Sequence, residues 1–262
     1  MLAYDNGQMN LYVSYSKGFK SGGFNAPALF PQVELKPEKA DSFEVGAKLR
    51  LFNNRARLNL SAFRVKSSNI QVATIDTSTG SVVQQNAASA KSYGLEASLD
   101  ASATEHLSFQ MGGAYLHSRY DDFADASVVN LVGGVLVSGR EDLMGMPTPN
   151  SPTWNGTFSS TYLIPLPSDW KSEVTLLARY TSSYNFSAGA GGDQRYDKQN
   201  GFWLVNVTGR ITPPNRNLTL SWYVNNLFQK HYYDQINTNA NFGSYGLPGL
   251  PRTWGGTLTY SF

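Results

Sequence analysis

Cysteine is absent from all 262 residues, which excludes disulfides, thiol nucleophiles and iron–sulfur centres. Long apolar runs are absent too. No stretch approaches the roughly 18 consecutive apolar residues that a membrane-spanning helix requires. Charge is scarce, at 15% of residues, against about 25% in a typical soluble domain. The formal net charge is +2 with Lys and Arg scattered, so no basic patch marks the chain for nucleic acid. The opening segment MLAYDNGQMN lacks the basic stretch and apolar run of a secretory leader. A leader and further sequence are therefore expected upstream of Met1.

Signs of chemistry are equally sparse. His106, His117 and His231 are dispersed without metal-ligand spacing. Asp121, Asp122 and Asp125 lack the ordered ligands and closing Glu of a calcium loop. No nucleophile elbow is present. The pairs Gly133-Gly134 and Gly191-Gly192 fall in loops and have no strand-then-helix context for cradling phosphate. No metal centre, cofactor or enzymatic activity is expected.

What the chain does have is aromatic residues, 13% of the total, and alternation. Phe43, Val45, Ala47, Leu49 and Leu51 share one face of a strand, opposite Glu44, Gly46, Lys48 and Arg50. Asn53-Asn54 turns the chain into a segment where Leu58, Leu60 and Ala62 oppose Arg57, Asn59 and Ser61. The same period of two continues through Tyr93–Asp100, Leu107–Tyr115, Trp154–Tyr162, Val174–Tyr180, Trp203–Ile211, Leu218–Asn225 and Trp254–Phe262. With Met9–Gly18 as the first, the pattern predicts about ten strands of roughly 9–14 residues. Ordinary sheet strands run to about 5–6 residues, whereas a tilted strand crossing a bilayer needs about 9–11.

The predicted connections sort by length. Short turns at 53–54, 103–106, 165–169 and 213–217 alternate with long loops at 19–40, 76–90, 120–152, 185–200 and 229–251. This is the pattern of an outer-membrane barrel with its long loops facing outward. Aromatic rings that prefer headgroup depth fit the same plan. Tyr12, Tyr15, Phe19, Tyr115, Tyr120, Tyr180, Tyr184, Phe228, Tyr232 and Tyr233 fall near long-loop ends, and Phe52, Trp170 and Phe262 near short-turn ends. The fold class expected is all-β, a transmembrane antiparallel β-barrel in the outer membrane, with the lipid bilayer as its first partner.

Several segments resemble the TonB-dependent outer-membrane receptors. The chain ends Leu258-Thr259-Tyr260-Ser261-Phe262, similar to the family's terminal strand. Val224-Asn225-Asn226-Leu227-Phe228 through Tyr232-Tyr233 is similar to its penultimate-strand signature, and Leu250-Pro251-Arg252-Thr253-Trp254 to the step before its last strand. Tyr12–Asn25 and Leu35–Lys48 resemble a mid-barrel strand with its loop entry and the strand that follows. Together they cover nearly the whole chain in family order.

The resemblance implies that residues 1–262 are the C-terminal ten strands of a 22-stranded barrel, occluded in the family by an N-terminal plug. The plug, the earlier strands and the segment that meets the TonB complex would lie upstream. Without them the piece should carry two open strand edges. Leu258, Tyr260 and Phe262 would form the signal read by the barrel-assembly machinery. The implied function is energy-coupled uptake of a small-molecule ligand such as a ferric siderophore, the chelate type being unspecified.

Within that frame, Glu44, Lys48, Arg50, Arg57, Glu96, Asp100 and Arg179 would line the lumen. They would either touch the plug and passing solute or simply hydrate and pair with one another. Outer-loop candidates for ligand contact are Phe19, Phe24, Asn25, Tyr184, Phe186, Tyr232, Tyr233, Asn237, Asn239, Asn241 and Phe242, since binding residues concentrate on long loops held by a rigid frame. Two alternatives stay open on the sequence: a passive pore, and a non-transport module such as a β-sandwich or adhesin.

Overall fold

The computed structural model describes residues 1–24, 34–75, 82–187, 197–214, 217–239 and 243–262. Among these the chain forms nineteen strands and no helix. The first eight are β1 (Leu2–Asp5), β2 (Met9–Lys20), β3 (Gly23–Phe24), β4 (Glu34–Leu35), β5 (Glu38–Leu51), β6 (Ala56–Ile75), β7 (Val82–Ser102) and β8 (Leu107–Asp122). Next come β9 (Ala126–Val132), β10 (Val135–Glu141), β11 (Trp154–Pro165), β12 (Lys171–Thr181), β13 (Tyr184–Asn185) and β14 (Lys198–Gln199). The last five are β15 (Phe202–Thr212), β16 (Leu218–Asn225), β17 (Tyr233–Asn239), β18 (Gly243–Pro248) and β19 (Thr253–Tyr260).

Eleven strands make one antiparallel sheet, in the order β1-β2-β5-β6-β7-β8-β11-β12-β15-β16-β19. The order follows the chain, so every connection is a simple up-and-down step. The remaining strands pair as β3-β4, β9-β10, β13-β14 and β17-β18, each within a long connection. Among the described residues the sheet does not close, and β1 and β19 are its two edges. No second sheet packs face to face on it among the described residues, which removes the β-sandwich reading.

The ten expected strands are all present, with a short eleventh before them. Asp5, Asn6 and Gly7 form the turn that sets β1 beside β2: the Asp5 carboxylate accepts the Gly7 amide at 2.7 Å, the Asn6 amide donates to the Met9 carbonyl at 3.1 Å, and Gly7 has φ of +84°. Asn-Gly is a strong hairpin signal, yet four residues are too few to show a period. The Asn53-Asn54 turn forms as expected, with Phe52, Asn53 and Asn54 all at positive φ.

Registration is continuous and keeps the two faces distinct. Val13, Val45, Ala62, Leu95, Tyr115 and Trp154 are successive cross-strand partners on one face. On the other, Asn10, Lys48, Asn59, Ser98, Gly112, Thr157 and Arg179 are successive partners. The apolar side is open to its surroundings: Leu95 is 58% exposed, Trp154 55%, Trp203 56% and Leu258 65%. A soluble protein does not leave such a band unpaired. A bilayer covers it without cost.

Strand length departs from expectation at one place. β6 and β7 are 20 and 21 residues long, and most of the predicted 76–90 loop is strand. The reason is packing above the membrane. Ala88, Ala90, Tyr120, Phe123, Ala126, Val128 and Leu143 form a buried cluster, with Ile70, Val72 and Met146 against it. This dry core ties the β6–β7 extension to the β9–β10 hairpin. Tyr120, assigned to the aromatic girdle from sequence, is instead 8% exposed inside this core. Tyr12 is also displaced from the girdle, since its register with Gly46 puts it on the polar face.

Aromatic rings cover glycines across the ladder. Phe63 lies over Gly94, Tyr12 over Gly46, Trp222 over Gly209 and Tyr223 over Gly255, an arrangement that restores the packing a glycine forfeits in a strand. A Cβ on Gly94 would stand 2.2 Å from the Tyr115 carbonyl and 2.7 Å from the Phe63 ring, whereas one on Gly113 meets nothing closer than 3.7 Å. Gly94→Ala is therefore predicted to destabilise the barrel by about 1–3 kcal/mol and Gly113→Ala to be near neutral. The check is the temperature at which heat-modifiable gel mobility is lost; equal temperatures for the two variants would contradict it.

Candidate functional site

The polar face holds every residue expected to line the lumen. The Tyr12 hydroxyl donates to Glu44 at 2.5 Å, and the Lys48 ammonium lies 5.7 Å from the centre of the same ring. Glu96 is three strands from Tyr12 in the Tyr12–Gly46–Ser61–Glu96 row. Arg50, Arg57 and Asp100 are successive partners in another row. Asn59 donates to Ser98 at 2.9 Å. Tyr12, Glu44, Lys48, Asn59, Glu96 and Ser98 line a shallow groove of about 460 Å³ whose floor includes Gly112, Gly113 and Gly156. Arg179 is partnered with Thr157 and Leu204 in the ladder, apart from the acidic groups. Arg57 is flanked in the ladder by a like charge, Arg50, and an unlike one, Asp100.

At the long-loop end, the two connections nearest the C-terminus meet. Short β13 and β14 pair Tyr184 with Gln199 and Asn185 with Lys198. The Phe186 amide donates to the Asp197 carbonyl at 3.0 Å, and the Asp197 carboxylate accepts the Ser187 amide at 3.0 Å and its hydroxyl at 2.5 Å. Burial pushes the Asp197 carboxyl above the usual carboxylate range, against the lowering effect of the Ser187 bonds. Gln199, itself buried, accepts the Tyr233 amide at 2.9 Å, and Tyr232 stacks on Phe202 with centroids 4.9 Å apart. Tyr184 and Phe186 meet edge to face at 5.1 Å. The Tyr184 phenol is raised from its ordinary value by burial first, then by the neighbouring Asp234 and Tyr232.

Four of the nominated ligand residues, Tyr184, Phe186, Tyr232 and Tyr233, are thus brought together on adjacent connections. Asn237 lies on β17 of the same loop and accepts the Gln235 amide at 3.0 Å. Asn239 ends β17, opposite Gly243. Phe24 pairs in the separate β3–β4 ribbon and is exposed. Phe19 is not a loop residue: β2 extends through Lys20, and Phe19 faces the apolar side beside Lys39. Asn25, Asn241 and Phe242 lie outside the described residues.

One residue that organises this region was not nominated. Asn226 is 5% exposed, with φ of +48°. Its amide group donates to the Lys230 carbonyl at 2.9 Å and the Leu250 carbonyl at 3.1 Å, its side-chain oxygen accepts the Lys230 amide at 2.7 Å, and its own backbone amide donates to Asn206 at 2.8 Å. It clamps both ends of the last long connection to β15. The only sequence signal was the Asn225-Asn226 pair in a segment already assigned to a strand end, where Asn tolerates positive φ.

Residues 2–227 match the family model described as TonB dependent receptor-like, beta-barrel. The metal-pseudopaline receptor CntO of Pseudomonas aeruginosa is 27% identical over 260 residues, 97% of this chain and 32% of that protein. The ferric-pyoverdine 358 receptor of Pseudomonas putida is 25% identical over 275 residues, 100% of this chain and 28% of that protein. Among solved structures, the ferric yersiniabactin uptake receptor FyuA from Yersinia pestis superposes with a TM-score of 0.76 at 16% identity, over 98% of this chain and 35% of that one. The chain therefore spans about a third of the length of the relatives it matches.

Asn226→Ala should free the ends of the last connection, with a loss of about 1–3 kcal/mol for the carbonyls and amides left unpaired. Protease cleavage within 229–251 on intact cells should accelerate while heat-modifiable mobility persists; unchanged cleavage would remove Asn226 from this role. With the family model covering most of its length and the sheet following the same course as solved receptors, the chain belongs to the TonB-dependent receptor-like β-barrel family and is an outer-membrane barrel segment.

Proposed function

We propose that this segment forms the C-terminal wall of an outer-membrane receptor that takes up a metal chelate with energy delivered through TonB. On this reading the lumen-facing rows contact a plug and hydrate the passage, upstream strands close the open edges β1 and β19, and no covalent chemistry is carried out. The relatives named as metal-pseudopaline and ferric-pyoverdine receptors support a chelate as cargo. The terminal residues Leu258, Tyr260 and Phe262 lie outward or at the end of β19 and are exposed, as a signal docked by assembly machinery would be.

The observation that carries the capture step is the aromatic cluster of Tyr184, Phe186, Tyr232 and Tyr233 at the long-loop end. Aromatic rings beside amide groups suit a planar, polar chelate. The cluster is built on β12, β15 and β16, so the rigid sheet holds it.

Replacing Tyr184 and Tyr232 together by Ala is predicted to weaken binding of the metal complex at least about tenfold, the loss expected for a pair of aromatic anchors. Ferric pyoverdine and a metal–pseudopaline complex are the probes, titrated onto the intact receptor in detergent. Undiminished affinity in the variant would move the capture site elsewhere. Uptake of radiolabelled iron that persists in a host without TonB would overturn energy coupling.

A further inference from the structure

The polar face of the sheet carries one row that is hydroxyl from strand to strand. It lies four residues from the Lys48–Arg179 row, toward the short turns. Its successive partners are Ser102, Ser108, Thr161, Thr175, Thr208 and Tyr223, on β7, β8, β11, β12, β15 and β16. The rows beside it are mixed. One inward step toward the long loops come Asp100, Gln110, Ser159, Leu177 and Asn206. One step the other way, Leu163 precedes the Glu173–Arg210 ion pair at 3.8 Å. Within the row, Thr161 and Thr175 hydrogen-bond to each other at 2.8 Å. The hydroxyls of Ser102, Ser108, Thr208 and Tyr223 have no partner among the described residues, and all four residues are exposed.

The row is not level. Ser102 is the last residue of β7 and Ser108 the second of β8, so this end lies at the short-turn rim. Thr161 and Thr175 stand four residues in from the short-turn ends of β11 and β12, and Tyr223 two residues from the long-connection end of β16. Ladder rows run square to their strands, so a strand tilt of about 35–45° inclines the row by the same angle. Five steps of about 4.8 Å make it about 24 Å long, a descent of roughly 14–17 Å at that tilt. Its upper end stands below the aromatic cluster: Thr208 shares the inward face of β15 with Phe202, which stacks on Tyr232. Its foot is pinned by Arg55, whose guanidinium donates to the Ser102 and Ala103 carbonyls at 3.2 and 2.7 Å.

Hydration of a wall is served by any polar side chain, as the mixed neighbouring rows show. An unbroken hydroxyl row offers something more, a neutral group at every strand that both donates and accepts. Passage needs contacts strong enough to draw a solute in, yet weak and repeated enough to release it. Ionised side chains at these positions would hold a charged chelate through stronger, charge-assisted bonds. We infer that the row from Tyr223 down to Ser102 is the track along which a chelate rich in oxygen and amide groups passes from the capture cluster to the short-turn rim. The track rests on the receptor reading above and adds a route to it. The charged residues Glu44, Lys48 and Glu96 lie off the track, on its long-loop side.

The test uses the intact receptor, with ferric pyoverdine and a metal–pseudopaline complex as probes, each carrying a radioactive metal. Affinity is read in detergent and initial uptake rate in cells. Thr161→Val, Thr175→Val and Thr208→Val together keep side-chain shape and strand propensity but remove three hydroxyls. Affinity should be unchanged while uptake falls at least about fivefold, the effect of roughly one net hydrogen bond. The matching triple Ser variant should keep wild-type uptake, as should Ser42→Arg, inward on β5 but off the row. Wild-type uptake by the triple Val variant would overturn the track, and so would an equal fall in the triple Ser variant or in Ser42→Arg. A parallel loss of affinity would place these residues in the capture site and count against the track. Wild-type receptor that binds and imports neither complex sinks the receptor reading and the track with it, whereas wild-type import beside an unaffected Val variant sinks the track alone. Should the triple Val variant lose heat-modifiable mobility, Thr161→Val and Thr208→Val are measured singly, each expected to slow uptake, and two unchanged rates count against the track.

Discussion

Through the rows from Val13 to Trp154 the sheet is a single layer whose apolar side chains are exposed among the described residues, so the media on its two sides must do what a core does elsewhere. That constraint governs the rest of this structure. Strands alternate strictly because each residue must suit either acyl chains or water. Direct cross-strand partners then place like with like, and Val13 aligns with Val45, Ala62 and Leu95 while Asn10 aligns with Lys48, Asn59 and Ser98. A slip of one residue in any ladder would send Glu44 and Lys48 into lipid. The ladder hydrogen bonds and the two solvents therefore fix the register together, and the glycine–aromatic pairs such as Phe63 on Gly94 supply side-chain packing that a thin wall otherwise lacks.

Function is built where the constraint lapses. Above the membrane the strands are free to pack conventionally. β6 and β7 lengthen, the β9–β10 hairpin folds onto them, and Tyr120 and Phe123 become core residues. On the other side of the sheet, buried Asn226 and Gln199 replace apolar packing with directed hydrogen bonds that hold two connections together. The aromatic cluster of Tyr184, Phe186, Tyr232 and Tyr233 is a product of these clamps. Its residues come from separate connections and meet only because the ladder brings β12, β15 and β16 side by side.

The spanning strands were legible in the sequence because lipid and water impose a period of two that composition cannot hide. Turn chemistry was legible as well at Asn53-Asn54. What escaped were features set by tertiary contact. Residues 82–90 lack a clear alternation, since Ala88 and Ala90 face a core on one side and Ala87 packs against it as well. Tyr12 looks like a girdle tyrosine by type, but register alone decides that it points at Glu44. Phe19 reads as a loop residue because nothing local announces that β2 continues to Lys20. Asn226 is a single residue whose four hydrogen bonds go to Lys230 nearby and to Asn206 and Leu250 far along the chain, and no spacing rule encodes that. Of the ligand candidates, those on β13 and at the start of β17 converge, while Phe19 and Phe24 stand apart.

The central claim is that one face of this sheet meets lipid and the other meets water. The natural absence of cysteine makes that directly measurable in intact outer membranes. Single Leu95→Cys and Glu96→Cys variants, adjacent on β7 and opposite in facing, would be labelled with a membrane-impermeant charged maleimide and with a lipid-soluble one. The account predicts that position 96 takes the charged reagent and position 95 only the lipid-soluble one. Equal labelling of both positions by the charged reagent would contradict it.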